Sequence, residues 1–256
     1  MGIPTWSGVD VSFARRGAPV AMAAVPRTQH TRMRHLTHVK ICCISSLAEA
    51  RLAIAAGASA LGLVSHMPSG PGVISEARIA QIAATVPPSI ATFLLTARRD
   101  AESIVRQHAE CRTSTIQLVD AVPVAELAVL RRLLPEVTLV QVIHVVDERA
   151  LNEAMMAADY VDALLLDSGN PDLPIKELGG TGRTHNWQVS RRIREQADLP
   201  VYLAGGLSAR NVAEAIQTVR PFGVDLCSGV RTNGKLDVEK LSAFMQSVRG
   251  AASGRS

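Results

Sequence analysis

The 256 residues carry a formal net charge of +4, with 47% hydrophobic but only 3% aromatic side chains. That length suits two small domains or one α/β barrel, and so few aromatics leave no platform for stacking bases, so no nucleic-acid partner is expected. No apolar stretch approaches the roughly 18 to 20 residues of a membrane span, and the four cysteines form no spaced framework, so the expected setting is a reducing cytoplasm away from membranes.

Residues 1–36 hold Arg15, Arg16, Pro19, Pro26, Arg27, Arg32 and Arg34 without sustained periodicity, and a basic, disordered extension is expected there. Met33 is a possible alternative start, and an Arg-rich, acid-poor leader is the other reading of this segment. From Thr37 onward, β-branched runs alternate with alanine-rich helical patterns. Strands are expected at 38–44, 60–64, 90–95, 115–118, 138–145, 162–167, 200–204 and 223–227. Helices are expected near 46–56, 75–86, 100–110, 123–134, 147–157, 187–197, 208–218 and 237–248, several opening on Ser, Asp or Pro. Eight βα units with short connections predict a single (β/α)8 TIM barrel over 37–250, with a flexible tail at 251–256. An active site would then lie at the C-terminal ends of the strands.

The run Ala163-Leu164-Leu165-Leu166-Asp167-Ser168 drives a carboxylate to the end of a hydrophobic strand. Burial there is costly unless Asp167 is paired or used, and an apolar mouth would raise its pKa toward general-acid work. On the first strand, alternation places Lys40 and Cys42 on the inner face, with Cys42 at the mouth and Cys43 turned toward the helices. A buried ion pair is expected between Lys40 and Asp225, because the first and eighth strands adjoin when a barrel closes. Gly205-Gly206 and Ser228-Gly229 end strands seven and eight, where backbone amides can approach an anion unhindered by Cβ atoms. Gly179-Gly180-Thr181-Gly182 reads as a lid on the sixth loop whose amides, at Gly180 and Gly182 in particular, would join that phosphate site. Neither a zinc-type Cys/His spacing nor a nucleotide-binding glycine motif occurs, so no metal and no cofactor are expected.

Taken together, Val39-Lys40-Ile41-Cys42, Leu165-Leu166-Asp167-Ser168, the Gly179–Gly182 run, Leu203-Ala204-Gly205-Gly206-Leu207 and Gly223-Val224-Asp225 with Ser228-Gly229-Val230 resemble the phosphoribosylanthranilate isomerase family of tryptophan biosynthesis. The likeness spans about residues 38–248 and is densest in the second half. It implies a cofactor-free Amadori rearrangement, aldose to ketose, of a phosphoribosyl aryl amine by a monomer or homodimer. It further implies that Asp167 is the general acid at the ribose ring oxygen and Cys42 the general base at C2′.

The chain departs from the family pattern around one half of that substrate. Cys43 stands where glycine is usual, and Gly70-Pro71-Gly72 replaces a Ser-Pro-Arg whose arginine binds the anthranilate carboxylate. Val119-Asp120 replaces His-Gly, and Asn186-Trp187 replaces Asp-Trp. Arg183 or Arg98 could take over the carboxylate, and Arg183 and Asn186 are carried as substrate-binding candidates. A paralogue that binds a phosphosugar without this reaction, an isomerase of another phosphorylated amino sugar, and a different phosphate-binding barrel enzyme stay open as alternatives.

Overall fold

The computed structural model describes residues 37–253, so the expected extension over 1–36 and the last three residues of the expected tail lie outside the described residues. Eight parallel strands close in sequential order into a barrel: β1 (His38–Ile41), β2 (Ala60–Val64), β3 (Ala91–Thr96), β4 (Thr115–Leu118), β5 (Thr138–His144), β6 (Ala163–Asp167), β7 (Val201–Leu203) and β8 (Gly223–Leu226). Helices α1 (Leu47–Ala56), α2 (Glu76–Ala83), α3 (Ala101–Cys111), α4 (Val124–Leu133), α5 (Arg149–Ala158), α6 (Trp187–Gln196), α7 (Val212–Val219) and α8 (Val238–Ser253) follow them in turn. The chain is thus a (β/α)8 TIM barrel. The last helix runs three residues beyond the expected limit of 250, because Ala251 is buried against the core.

Local chemistry starts and stops these elements. Side chains of Ser46, Ser75 and Asp100 accept the backbone N–H groups of Glu49, Arg78 and Ser103 and so cap α1, α2 and α3. Gly57 ends α1 at φ +102°, a conformation that glycine adopts without steric cost. Outward strand residues such as Ile41, Leu61, Leu94, Ile116 and Leu166 bury against the helices. Inward ones such as Ala60, Phe93, Val140, Leu165 and Tyr202 fill the barrel.

At the base of that interior lies the expected ion pair. Register sets Lys40 of β1 beside Asp225 of β8, and Lys40 Nζ lies 2.9 Å from Asp225 Oδ2 with the lysine completely buried. The ammonium also sits 5.1 Å from the centroid of the Phe93 ring. Gly62 makes room for it: a Cβ there would lie 3.1 Å from Lys40 Nζ and 2.8 Å from Cys42 Sγ.

Two local features differ from expectation. β1 ends at Ile41 rather than at 44, because Cys43 takes a left-handed conformation at φ +61° and breaks the alternation. Its thiol therefore does not face the helices; Cys43 is buried at the barrel mouth beside Cys42. The second feature is a short hairpin, β9 (Arg231–Thr232) with β10 (Lys235–Leu236), inserted before α8. Its Asn233-Gly234 turn has both residues at positive φ, the geometry that two-residue hairpins favour.

Candidate active site

At the C-terminal ends of the strands lies a chamber open to solvent. Its wall joins Cys42 and Cys43 after β1, Gln117 on β4, Asp167 on β6, Gly205 and Gly206 after β7, and Asp225, Cys227 and Ser228 at the end of β8. One side is apolar, formed by Val64, Met67, Leu95, Val119 and Leu178. Cys42 and Asp167 thus reach the same space from strands separated by β8 and β7 around the barrel.

The loop from Ser168 to Asn186 covers this mouth. Ser168 Oγ and Thr181 Oγ1 are hydrogen-bonded at 2.8 Å, and Ser69 Oγ donates to the Lys176 carbonyl at 2.6 Å, tying the loop to the segment after β2. Gly179, at φ +134°, lies so close to Asp167 that a Cβ would be 2.8 Å from Oδ2. A bare backbone there lets the loop pack directly onto the carboxylate and exclude water from it. Burial accordingly pushes the Asp167 pKa up, opposed by the Ser168 N–H, which donates to Oδ1 at 2.7 Å, and by nearby His144.

The opposite wall is a cluster of thiols. The neighbouring thiols of Cys227 and Cys42, together with burial, hold the Cys43 thiol well above its usual pKa. Cys227 is shifted the other way, first by the Cys43 thiol and then by the nearby Arg231 guanidinium, against the effect of burial. Arg231 itself is anchored: Nη2 donates to the carbonyls of Cys43 at 2.6 Å and Cys42 at 3.2 Å, and Nη1 pairs with Glu49 at 2.8 Å. The end of β1 is therefore clamped from behind by a buried cation in the hairpin after β8.

Beside the chamber, Gly182, Arg183, Thr184, Gly206, Arg210, Asn211, Ser228 and Gly229 line a shallower cleft at the start of α7. Asn211 Nδ2 donates to the Gly206 carbonyl at 3.0 Å, and Asn211 Oδ1 accepts from the Ser208 N–H at 2.8 Å, setting the turn after β7. Chamber and cleft share Gly182, Gly206, Leu207 and Ser228. A pair of glycine turns beside a helix start is suited to an anion. Farther out, His185 is bonded through Nε2 to Ser190 Oγ at 2.7 Å, and burial lowers its pKa to about 4, so it is neutral at physiological pH.

The profile described as N-(5'phosphoribosyl)anthranilate (PRA) isomerase matches residues 39–247. The chain belongs to the phosphoribosylanthranilate isomerase family. A relative from Methanocella arvoryzae, named N-(5'-phosphoribosyl)anthranilate isomerase, is 34% identical over 215 residues, 84% of this chain and 99% of its own. The crystal structure of phosphoribosyl anthranilate isomerase from Thermotoga maritima superposes with a TM-score of 0.72 at 28% identity, covering 84% of this chain and 99% of that one. A phosphoribosyl anthranilate isomerase in complex with reduced 1-(o-carboxyphenylamino)-1-deoxyribulose 5-phosphate superposes with a TM-score of 0.69 at 26% identity, over 84% and 99% of the two chains.

Within this isomerase-family barrel, Cys42, Asp167, Gly180, Gly182, Gly205, Gly206 and Ser228 share the chamber, and Gly229 lines the adjoining cleft. Arg183 borders the cleft, but its guanidinium is paired with Glu177 in the same loop. Asn186 is not in the chamber: its side chain caps α6, accepting from the Gln188 N–H at 3.0 Å. Arg98 is held by the Ser103 carbonyl at 3.1 Å and by Glu76 at 3.9 Å, on the side of α2 and α3. Sequence reasoning passed over Gln117, Cys227 and the Ser168–Thr181 bond as parts of the site, and took Gly179 only as the first glycine of the lid.

Proposed function

We propose that the chain isomerises N-(5′-phosphoribosyl)anthranilate to 1-(o-carboxyphenylamino)-1-deoxyribulose 5-phosphate. The observation that carries this reading is a single chamber in which a desolvated carboxylic acid under a closed loop faces a cysteine, with two glycine turns beside them. In this scheme Asp167 protonates the ribose ring oxygen, and the C1′–O bond opens to a protonated Schiff base. Cys42, as the base, then removes the C2′ proton and returns it to C1′ of the resulting enolamine, while the 2′-hydroxyl gives its proton back to Asp167, which leaves the ketose and both groups as they began. Asp225 Oδ1 and Gln117 Oε1 have no hydrogen-bond partner among the described residues, and both side chains line the chamber, so in this scheme they accept from the ribose hydroxyls. The 5′-phosphate would rest on the turns at Gly205-Gly206 and Ser228-Gly229, closed over by Gly180 and Gly182. No cofactor takes part in this reaction.

The direct test is loss of anthranilate fluorescence when freshly generated phosphoribosylanthranilate meets the purified protein. Cys42→Ser is expected to lower kcat about 100-fold with the fold intact, because a hydroxyl is a poor proton acceptor in this position. An unchanged kcat would remove Cys42 from the scheme. A folded protein that binds ribose 5-phosphate yet turns nothing over would favour the sugar-binding paralogue.

Gly206 offers a separate check on the phosphate end. It has φ +58°, and a Cβ would lie 2.6 Å from the carbonyl carbon of Arg183 and 2.8 Å from the Thr184 nitrogen. Both are backbone atoms that cannot swing aside. Gly206→Val is expected to push the covering loop outward and weaken inorganic phosphate binding about tenfold or more, measured by calorimetry. Binding within twofold of the parent would count against this placement of the phosphate.

A further inference from the structure

The proposed substrate carries an aromatic carboxylate, yet among the described residues no lysine or arginine lines the chamber. Position 72 cannot supply one. Gly72 sits at φ +80°, and a Cβ there would lie 2.5 Å from Cys43 Cβ and 3.0 Å from Cys43 Cα, so Cys43 bars any side chain at 72. Arg183 and Arg98 are held elsewhere by Glu177 and Glu76.

Lys176 is placed differently. Its Nζ lies 2.6 Å from Asp120 Oδ2. Asp120 is only 6% exposed and directly follows Val119, part of the chamber's apolar wall. The carboxylate is itself fixed, because Asp120 Oδ1 accepts from the Ala121 N–H at 2.8 Å, and its main-chain carbonyl accepts from Gln141 Nε2 at 2.9 Å. On the other flank, the Lys176 carbonyl accepts from Ser69, which also lines the chamber. The ammonium is therefore anchored at the rim of the apolar end from β4 and tethered through its backbone to the segment after β2. The side chain remains 38% exposed, and an ammonium has three donors, of which Asp120 Oδ2 takes one.

Resting on the isomerase reading above, we propose that Lys176, positioned by Asp120, binds the carboxylate of the aryl amine and sets the enzyme's preference for a carboxylated substrate. The chain then meets the demand for a cation from the loop after β6, in place of the barred position 72.

Calorimetry with two stable ligands tests this: reduced 1-(o-carboxyphenylamino)-1-deoxyribulose 5-phosphate and its counterpart lacking the carboxyl group. The parent protein is expected to bind the carboxylated ligand about tenfold more tightly. In Lys176→Met that preference should vanish while affinity for the carboxyl-free ligand stays within twofold, and Lys176→Arg should restore part of it. A preference that persists in Lys176→Met, or is absent from the parent, overturns the assignment while leaving the isomerase reading intact. A parent protein that binds neither ligand overturns both.

Discussion

Asp167→Asn is expected to lower kcat about 1000-fold and at the same time to raise the melting temperature at pH 7 by about 2–4 °C. On the mechanism proposed above, the loss follows from removing the proton donor to the ring oxygen. The gain follows from linkage. Burial under Gly179 pushes the folded-state pKa of Asp167 above its unfolded value of about 3.9, so the folded state holds this proton more tightly than the unfolded chain. The stabilising contribution of the protonated group is complete below the unfolded pKa and is lost as pH rises through the folded one. At neutral pH the parent fold therefore lacks part of the stability it has in acid, a pH-dependent cost that the non-titrating asparagine does not carry. Thermal melts at pH 7 and pH 4 should show the advantage of the variant shrinking toward acid. Reduced stability at pH 7, or kcat within threefold of the parent, would contradict the placement of Asp167 as a desolvated acid.

Asp225→Asn is expected to cost about 3–5 kcal/mol of stability, since it leaves the ammonium of Lys40 buried without its counter-charge. Burial by itself would depress the Lys40 pKa, but attraction to Asp225 and the neighbouring thiols outweighs it, and the net shift is upward. That sign means the pair stabilises fully at neutral pH and weakens only as pH rises through the raised folded value. Lys40→Met should cost less, because the carboxylate left behind borders the open chamber whereas the ammonium is sealed beneath it. Lys40→Met combined with Asp225→Leu should recover at least half of the loss suffered by Asp225→Asn. Urea unfolding midpoints at constant m-value supply the comparison. A loss below about 1 kcal/mol in Asp225→Asn would show that the ammonium finds water or another partner.

The barrel was legible because each βα unit announces itself locally. A buried parallel strand reads as a short aliphatic run, and an alanine-rich helix with a Ser or Asp cap follows it. Strand ends were less legible, and β1 shows why. Alternation extrapolated from Val39, Lys40 and Ile41 sends Cys43 outward, but one residue at positive φ turns the chain and returns the side chain to the mouth. Asn186 illustrates the converse: a polar residue near the lid reads as a ligand contact until the helix it caps is seen. The Asn233-Gly234 hairpin carried a recognisable turn signal, yet nothing local showed that its first strand delivers Arg231 to the carbonyls of Cys42 and Cys43.

From sequence alone, the period of the hydrophobic runs determined an eight-stranded parallel barrel, closure of that barrel determined that Lys40 meets Asp225, and the strand-end positions of Cys42, Asp167 and the glycine turns determined that they line one chamber at the barrel mouth. These follow from local propensity and from a topology that permits one neighbour order. Tertiary structure alone decided what depends on loops meeting across the mouth. It packed Gly179 onto Asp167, gathered Cys42, Cys43 and Cys227 into one cluster, barred position 72 with Cys43, and brought Lys176 to Asp120. The Lys176–Asp120 contact joins residues 56 positions apart in sequence. Contacts of that kind are set by how irregular segments pack on a rigid frame, and no periodicity in the chain encodes them.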